Sequence, residues 1–213
     1  MPIYVPIIIA LIVIGMNWWL GSWNILLNLT NFFIASMFAS AYFEPLADTL
    51  ESSQSSFTYL LDFVSIWLLF VVVFVFLRVT TDFLSKYQLR MHPLVEHPLR
   101  AGLAVWLAGG FVCFAMFTMH LAPIPSEYVT ANPTRKMCGF GPDQMWMAFI
   151  QSRSRGAHAA SKNGLFLYEY DLADHPDDVD LNSRVFDPHA QFAKTYIERR
   201  SNLARSKTLR VLK

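Results

Sequence analysis

Polar and apolar positions fall in long blocks along this chain rather than alternating residue by residue. The clearest block runs from Phe57 to Arg78, FTYLLDFVSIWLLFVVVFVFLR, and every side chain from Ile66 to Leu77 is apolar. At 1.5 Å rise per residue it reaches about 30 Å, the thickness of a hydrocarbon core. Its valines suit a strand, but a run this long pairs its backbone groups internally only as a helix, which predicts a transmembrane helix stopped at an interface by Arg78. Three more segments fit the same pattern. Pro2 to Leu20 has no basic residue before its apolar run and no small-residue cleavage site, so it reads as a retained membrane helix rather than a signal peptide. Asn17, Trp18 and Trp19, ahead of Gly21 and Ser22, suit an interfacial anchor and a tight turn. Asn24 to Phe43 and Ala101 to Ala122 supply the second and fourth spans. The pattern therefore predicts an all-α membrane protein of about four transmembrane helices.

Polar residues within and between these spans refine the picture. Asn24, Asn28 and Asn31, continued by Ala35 and Ala39, recur at spacings of three and four and share one helical face. Such a face avoids lipid. It suits interhelical packing through amides and small residues first, and a polar lining for a solute second. Glu44 to Ser56 is acidic and contains Pro45, which predicts the end of the second helix and a short solvated loop. Asp62 lies about 7 Å inside the third helix, either reaching the interface or serving as an intramembrane carboxylate beside the asparagine face.

After Arg78 the chain turns basic, and Val79, Phe83, Tyr87 and Met91 predict a short amphipathic surface helix broken at Pro93 and Pro98. His92, Glu96 and His97 offer metal-ligating groups, but the prolines oppose the helical spacing that would present them together. In the fourth segment Gly102 and Gly109, with Ala104 and Ala108, form a small-residue face for close helix packing. Cys113 there reads as an apolar filler, and His120 stands near enough to the end to reach water.

Charge divides the chain in two. Of 17 Lys and Arg and 16 Asp and Glu, only 4 and 6 precede Pro123, leaving 13 and 10 for the rest. That split predicts a four-helix membrane domain over residues 1–122 and a soluble, mainly helical extension over 123–213. Counting basic residues near helix ends places the Arg78 to Arg100 loop in the cytoplasm, with both termini on the opposite side.

In the extension, Pro123 to Pro133 reads as a linker, and Gly141-Pro142-Asp143 opens a helix to Arg155 with Met145, Trp146, Phe149 and Ile150 on one side. Leu165 to Tyr170 suits a strand or a helix. Asp178, Asp180 and Asn182 imitate an EF-hand start, but Ser183 and His189 stand where that loop needs glycine and glutamate. Asp187 and Pro188 open a last helix whose stripe of Phe192, Ala193, Tyr196 and Ile197 is expected to pack on the Trp146 helix. Arg199, Arg200, Arg205, Lys207 and Arg210 follow without an acid between them after Glu198, a solvated end or a contact for an anionic surface. No nucleic-acid motif, metal set, phosphate loop or nucleophile elbow is present in the sequence, so no cofactor, no nucleic acid and no enzymatic activity are expected.

Four helices with a tight first turn, an acidic second loop and a basic third loop resemble the colicin V production (CvpA) family of bacterial inner-membrane proteins over about residues 5–121. The second helix running into YFEPLADTL, the Arg100-Ala101-Gly102 entry to the fourth helix, and Gly102 with Gly110 carry the likeness, while Trp106 and Gly109 depart from it. The resemblance implies a multi-pass inner-membrane protein involved in envelope homeostasis or toxin export. Partners implied are the lipid bilayer and a protein, or a second copy, engaged through the helices and tail. The alternative is an oligomeric channel or transporter built on Asn24, Asn28, Asn31 and Asp62.

Overall fold

The computed structural model describes residues 4–53, 58–85, 92–124, 138, 140–154 and 192–205. Among these it is all-helical, in six helices: α1 (Tyr4–Asn17), α2 (Ser22–Ser53), α3 (Thr58–Leu84), α4 (Pro93–Thr118), α5 (Pro142–Ser154) and α6 (Phe192–Arg205). The readings of Tyr87 and Met91, most of the Pro123 to Pro133 linker, Leu165 to Tyr170, the Asp178 loop, the Asp187-Pro188 helix start, Lys207 and Arg210 lie outside the described residues, as do the side chains of Arg200 and Arg205.

Three helices are long and apolar enough to cross a membrane, within Ser22–Glu51, Leu60–Leu84 and Leu94–Thr118. α1 is apolar but has 14 described residues, about 21 Å against a core of about 30 Å. α2, α3 and α4 run alternately up and down, α2 packing most extensively on α3. One end of the bundle gathers Asn17, the Trp18-Trp19 turn, the start of α2, the end of α3 and the start of α4, as the Trp23–Ser85 and Ser22–Glu96 hydrogen bonds show. The other gathers the start of α1, the end of α4, and α6. They are called here the Trp end and the tail end. Trp19 is 89% exposed at the first, as an interfacial anchor requires.

Three helix boundaries differ from the sequence expectation. α3 does not stop at Arg78 but runs on through Val79 and Phe83 to Leu84, so these residues extend the third helix rather than open a separate surface helix, and Pro98 lies inside α4 instead of breaking a helix. α2 does not stop at Pro45 but continues to Ser53, so the predicted acidic loop is mostly helix. Proline removes one backbone hydrogen bond, yet Phe43 and Ala47 on either side of it are buried, and their packing carries the helix through. α4 begins eight residues before Ala101. His92 caps it by accepting from the Leu94 amide at 3.4 Å, and Pro93 occupies the first turn, where a missing N–H costs nothing.

The core is aromatic. Phe32, 1% exposed, meets Phe70 edge-on at 5.9 Å, Phe114 at 6.2 Å and Trp146 at 6.1 Å between ring centroids. Trp146 belongs to α5, and Phe192 of α6 stacks on Phe117 at 5.2 Å and meets Phe43 edge-on. The described helices of the 123–213 region thus share one hydrophobic cluster with the membrane helices.

Candidate functional site

The strongest polar contacts between distant parts of the chain lie where α5 and α6 meet the bundle. Three aromatic and charged side chains on α6 recur at spacings of four and three, so Phe192, Tyr196 and Arg199 face the bundle together. Phe192 fills the space between Phe43 and Phe117, which sets the depth of the helix. One turn on, the Tyr196 hydroxyl donates to Asp62 Oδ2 at 3.1 Å, and Arg199 Nη1 forms an ion pair with the same oxygen. Asp62 is 8% exposed, and a carboxylate taken out of water to that extent needs such partners. Burial and the Asp62 charge together push the Tyr196 hydroxyl well above the ordinary tyrosine range. Burial works against the Arg199 cation, but the charge and hydrogen bond of Asp62, with Tyr196 and Glu51, together outweigh it, and the guanidinium pKa rises. The arrangement is a latch: an aromatic plug with a buried carboxylate clasped by a phenol and a guanidinium.

A second contact seats α5. His120, just past α4, and Asp143, in the first turn of α5, are each 2% exposed, with Nε2 and Oδ2 2.9 Å apart. Gly141 takes φ 69° before Pro142, a left-handed turn that glycine permits and that brings the helix start back over α4. Trp146 then donates to Ser40 Oγ at 3.4 Å and stacks on Phe33. His120 therefore does not reach water, as the sequence suggested; it is covered by α5.

The asparagines stand at the other end. Asn31, 2% exposed, donates to Thr81 Oγ1 at 3.0 Å, while Asn28 accepts from Arg78 at 2.8 Å and donates to Asn17 Oδ1 at 3.1 Å. They tie α1, α2 and α3 together near the Trp end; Asn24 is half-buried on the same helix. Asp62 does not join them. It lies sixteen residues before Arg78 on α3, about 24 Å along the axis. Nor does Arg199 stand free for an anionic surface, because its guanidinium is held by Asp62.

The small-residue face of α4 is divided as well. Ala104 and Ala108 are 1% exposed inside the bundle, whereas a Cβ placed on Gly102 or Gly109 meets nothing within 4 Å. The close approach falls instead at Gly110, where a Cβ would come 3.1 Å from the Phe32 ring and 3.4 Å from Phe33. Glu96 accepts from the Ser22 amide at 3.0 Å and pairs with Arg100, and no metal-binding cluster occurs among the described residues.

The chain matches no family model, curated protein or solved structure. Sequence spacing alone missed both docking contacts. Asp62 and Arg199 are 137 residues apart and His120 and Asp143 are 23 apart, so no local periodicity links them. The only local signals were a carboxylate placed within a membrane helix and a Gly-Pro-Asp helix start.

Proposed function

We propose that this chain is a non-enzymatic, multi-pass envelope protein of the bacterial inner membrane that serves assembly, homeostasis or toxin export, as its likeness to the colicin V production family implies. On this reading α1 is a fourth, short span, both termini face away from the cytoplasm, and a protein partner is engaged through the 123–213 extension. One observation supports it above the others. The two described helices of the extension are docked on the bundle by built contacts, the Asp62–Tyr196–Arg199 latch and the His120–Asp143 pair. A partner pulling on or binding the extension is thereby coupled to the membrane helices.

The channel alternative draws on the asparagine face, but Asn28 and Asn31 are engaged with Asn17, Arg78 and Thr81 across three helices. That pattern suits packing better than a solute path. The deciding experiment is a comparison in cells of the full chain, a chain ending at residue 122, and Asn31→Leu. An assembly role predicts loss of the envelope phenotype on truncation and its retention in Asn31→Leu. A phenotype untouched by truncation contradicts it.

A further inference from the structure

A groove of about 380 Å3 runs between α1 and α3 over a floor made by α2 and α4. Its length is apolar, lined among others by Ile12, Met16, Phe70, Phe74 and Leu107, and Asn17 and Asn28 line it at the Trp end. Phe74 and Arg78 lie four residues apart on α3, so the guanidinium stands one turn beyond Phe74, next to the Trp end of the groove rather than within its lining. Arg78 confirms that position by donating to Asn28 Oδ1 at 2.8 Å. Its other described partner is Asp82, at 3.1 Å from Nη2 and itself 53% exposed. A guanidinium carries five donors in a planar fork, so these two contacts leave donors for a further oxyanion.

An apolar slot with a cation at its interfacial end has the chemistry of one acyl chain and one phosphate. We propose that this groove binds an anionic phospholipid, with an acyl chain between α1 and α3 and the headgroup phosphate at Arg78. The chain gains little by leaving bulk lipid, whose tails are as apolar as the groove. Selection therefore comes from the headgroup, where an arginine near the surface favours an anionic lipid by about fivefold. Asp82 opposes that preference, and the half-exposed position of its carboxylate weakens but does not remove the opposition. The inference is independent of what the extension does.

The test is native mass spectrometry of the full chain purified in detergent with equal amounts of phosphatidylglycerol and phosphatidylcholine of identical acyl chains. Expected is retention of phosphatidylglycerol about fivefold over phosphatidylcholine, a smaller ratio in Arg78→Gln and a larger one in Asp82→Asn. Ile12→Trp, which fills the groove from an exposed position, should lose the bound lipid, and excess glycerol phosphate should not displace it. Equal retention of the two lipids overturns the proposal, as does an unchanged ratio in Arg78→Gln. Displacement by glycerol phosphate would show a free-anion site instead and also overturns it. Should Arg78→Gln fail to fold, Asp82→Asn and Ile12→Trp decide alone, and no change in either sinks the proposal.

Discussion

Gly109 and Gly110 are neighbours in sequence with opposite constraints. A methyl group on Gly110 presses on Phe32, and that ring is enclosed by Phe70, Phe114 and Trp146 and has little room to yield. Gly110→Ala is therefore expected to lose about 1 kcal/mol net, overpacking outweighing the gain in helix propensity. Gly109→Ala meets open space and should be neutral or stabilising by up to about 1 kcal/mol. Unfolding of both variants in mixed micelles checks the contrast. Tyr196 makes a second prediction, whose sign follows from its raised pKa. Below about pH 10 the tyrosine holds its proton in both folded and unfolded chains, and its contribution is whole. Above that, the unfolded chain ionises while the folded one stays protonated. Each further pH unit then removes about 1.4 kcal/mol until the folded pKa is passed. Tyr196→Phe should abolish this part of the alkaline loss, which unfolding curves from about pH 8 to 11 would reveal. The sequence showed which residues on α4 were small, but not which of them faced a phenylalanine, because that depends on how α2 is rotated against α4.

At the scale of elements, the apolar blocks were legible because membrane length and backbone satisfaction both act locally: α2, α3 and α4 fall where the hydropathy pattern puts them. Their ends were less legible. Pro45 signals a stop by its own chemistry, and only the burial of Phe43 and Ala47 overrides it. The N-terminus of α4 likewise depends on the His92 cap and on Glu96 reaching across to Ser22. The asparagine stripe was visible as a stripe, while its partners on α1 and α3 were not. Asn31→Ala should cost about 1–3 kcal/mol, since it removes a buried hydrogen bond and leaves a void between α2 and α3. Asn24→Ala, at a half-buried position, should cost less than about 0.5 kcal/mol. Equal costs at the two positions in the same unfolding assay would contradict this account of the α2–α3 seam.

At the scale of the molecule, the charge division between residues 1–122 and 123–213 suggested a bundle with a separate appendage, yet α5 and α6 complete the bundle's own aromatic core. The apolar stripe of α6 is visible in the sequence, but its partners are not: the pattern points it at the Trp146 helix, whereas Phe192 and Tyr196 meet Phe43, Phe117 and Asp62 on α2, α4 and α3. The same packing affects how topology is measured. Cys138 is half-buried against Val112 and Met116, and burial raises its thiol pKa, so its thiolate reacts slowly even on an accessible face. Lys194→Cys, exposed on α6, is the better reporter in a chain with both native cysteines replaced. Labelling of intact cells by a membrane-impermeant thiol reagent is expected on the proposed topology, and labelling only after lysis would reverse it.

The central claim is that α6 is held to the bundle by the Asp62–Arg199 contact, and amide hydrogen exchange of α6 in the reconstituted chain tests it most directly. Asp62→Arg and Arg199→Asp, each alone, should put like charges together and speed exchange throughout α6. The double variant, which restores the pair in reverse, should slow it again. Rapid exchange of α6 in the unaltered chain, or a double variant no better protected than either single one, would contradict the account.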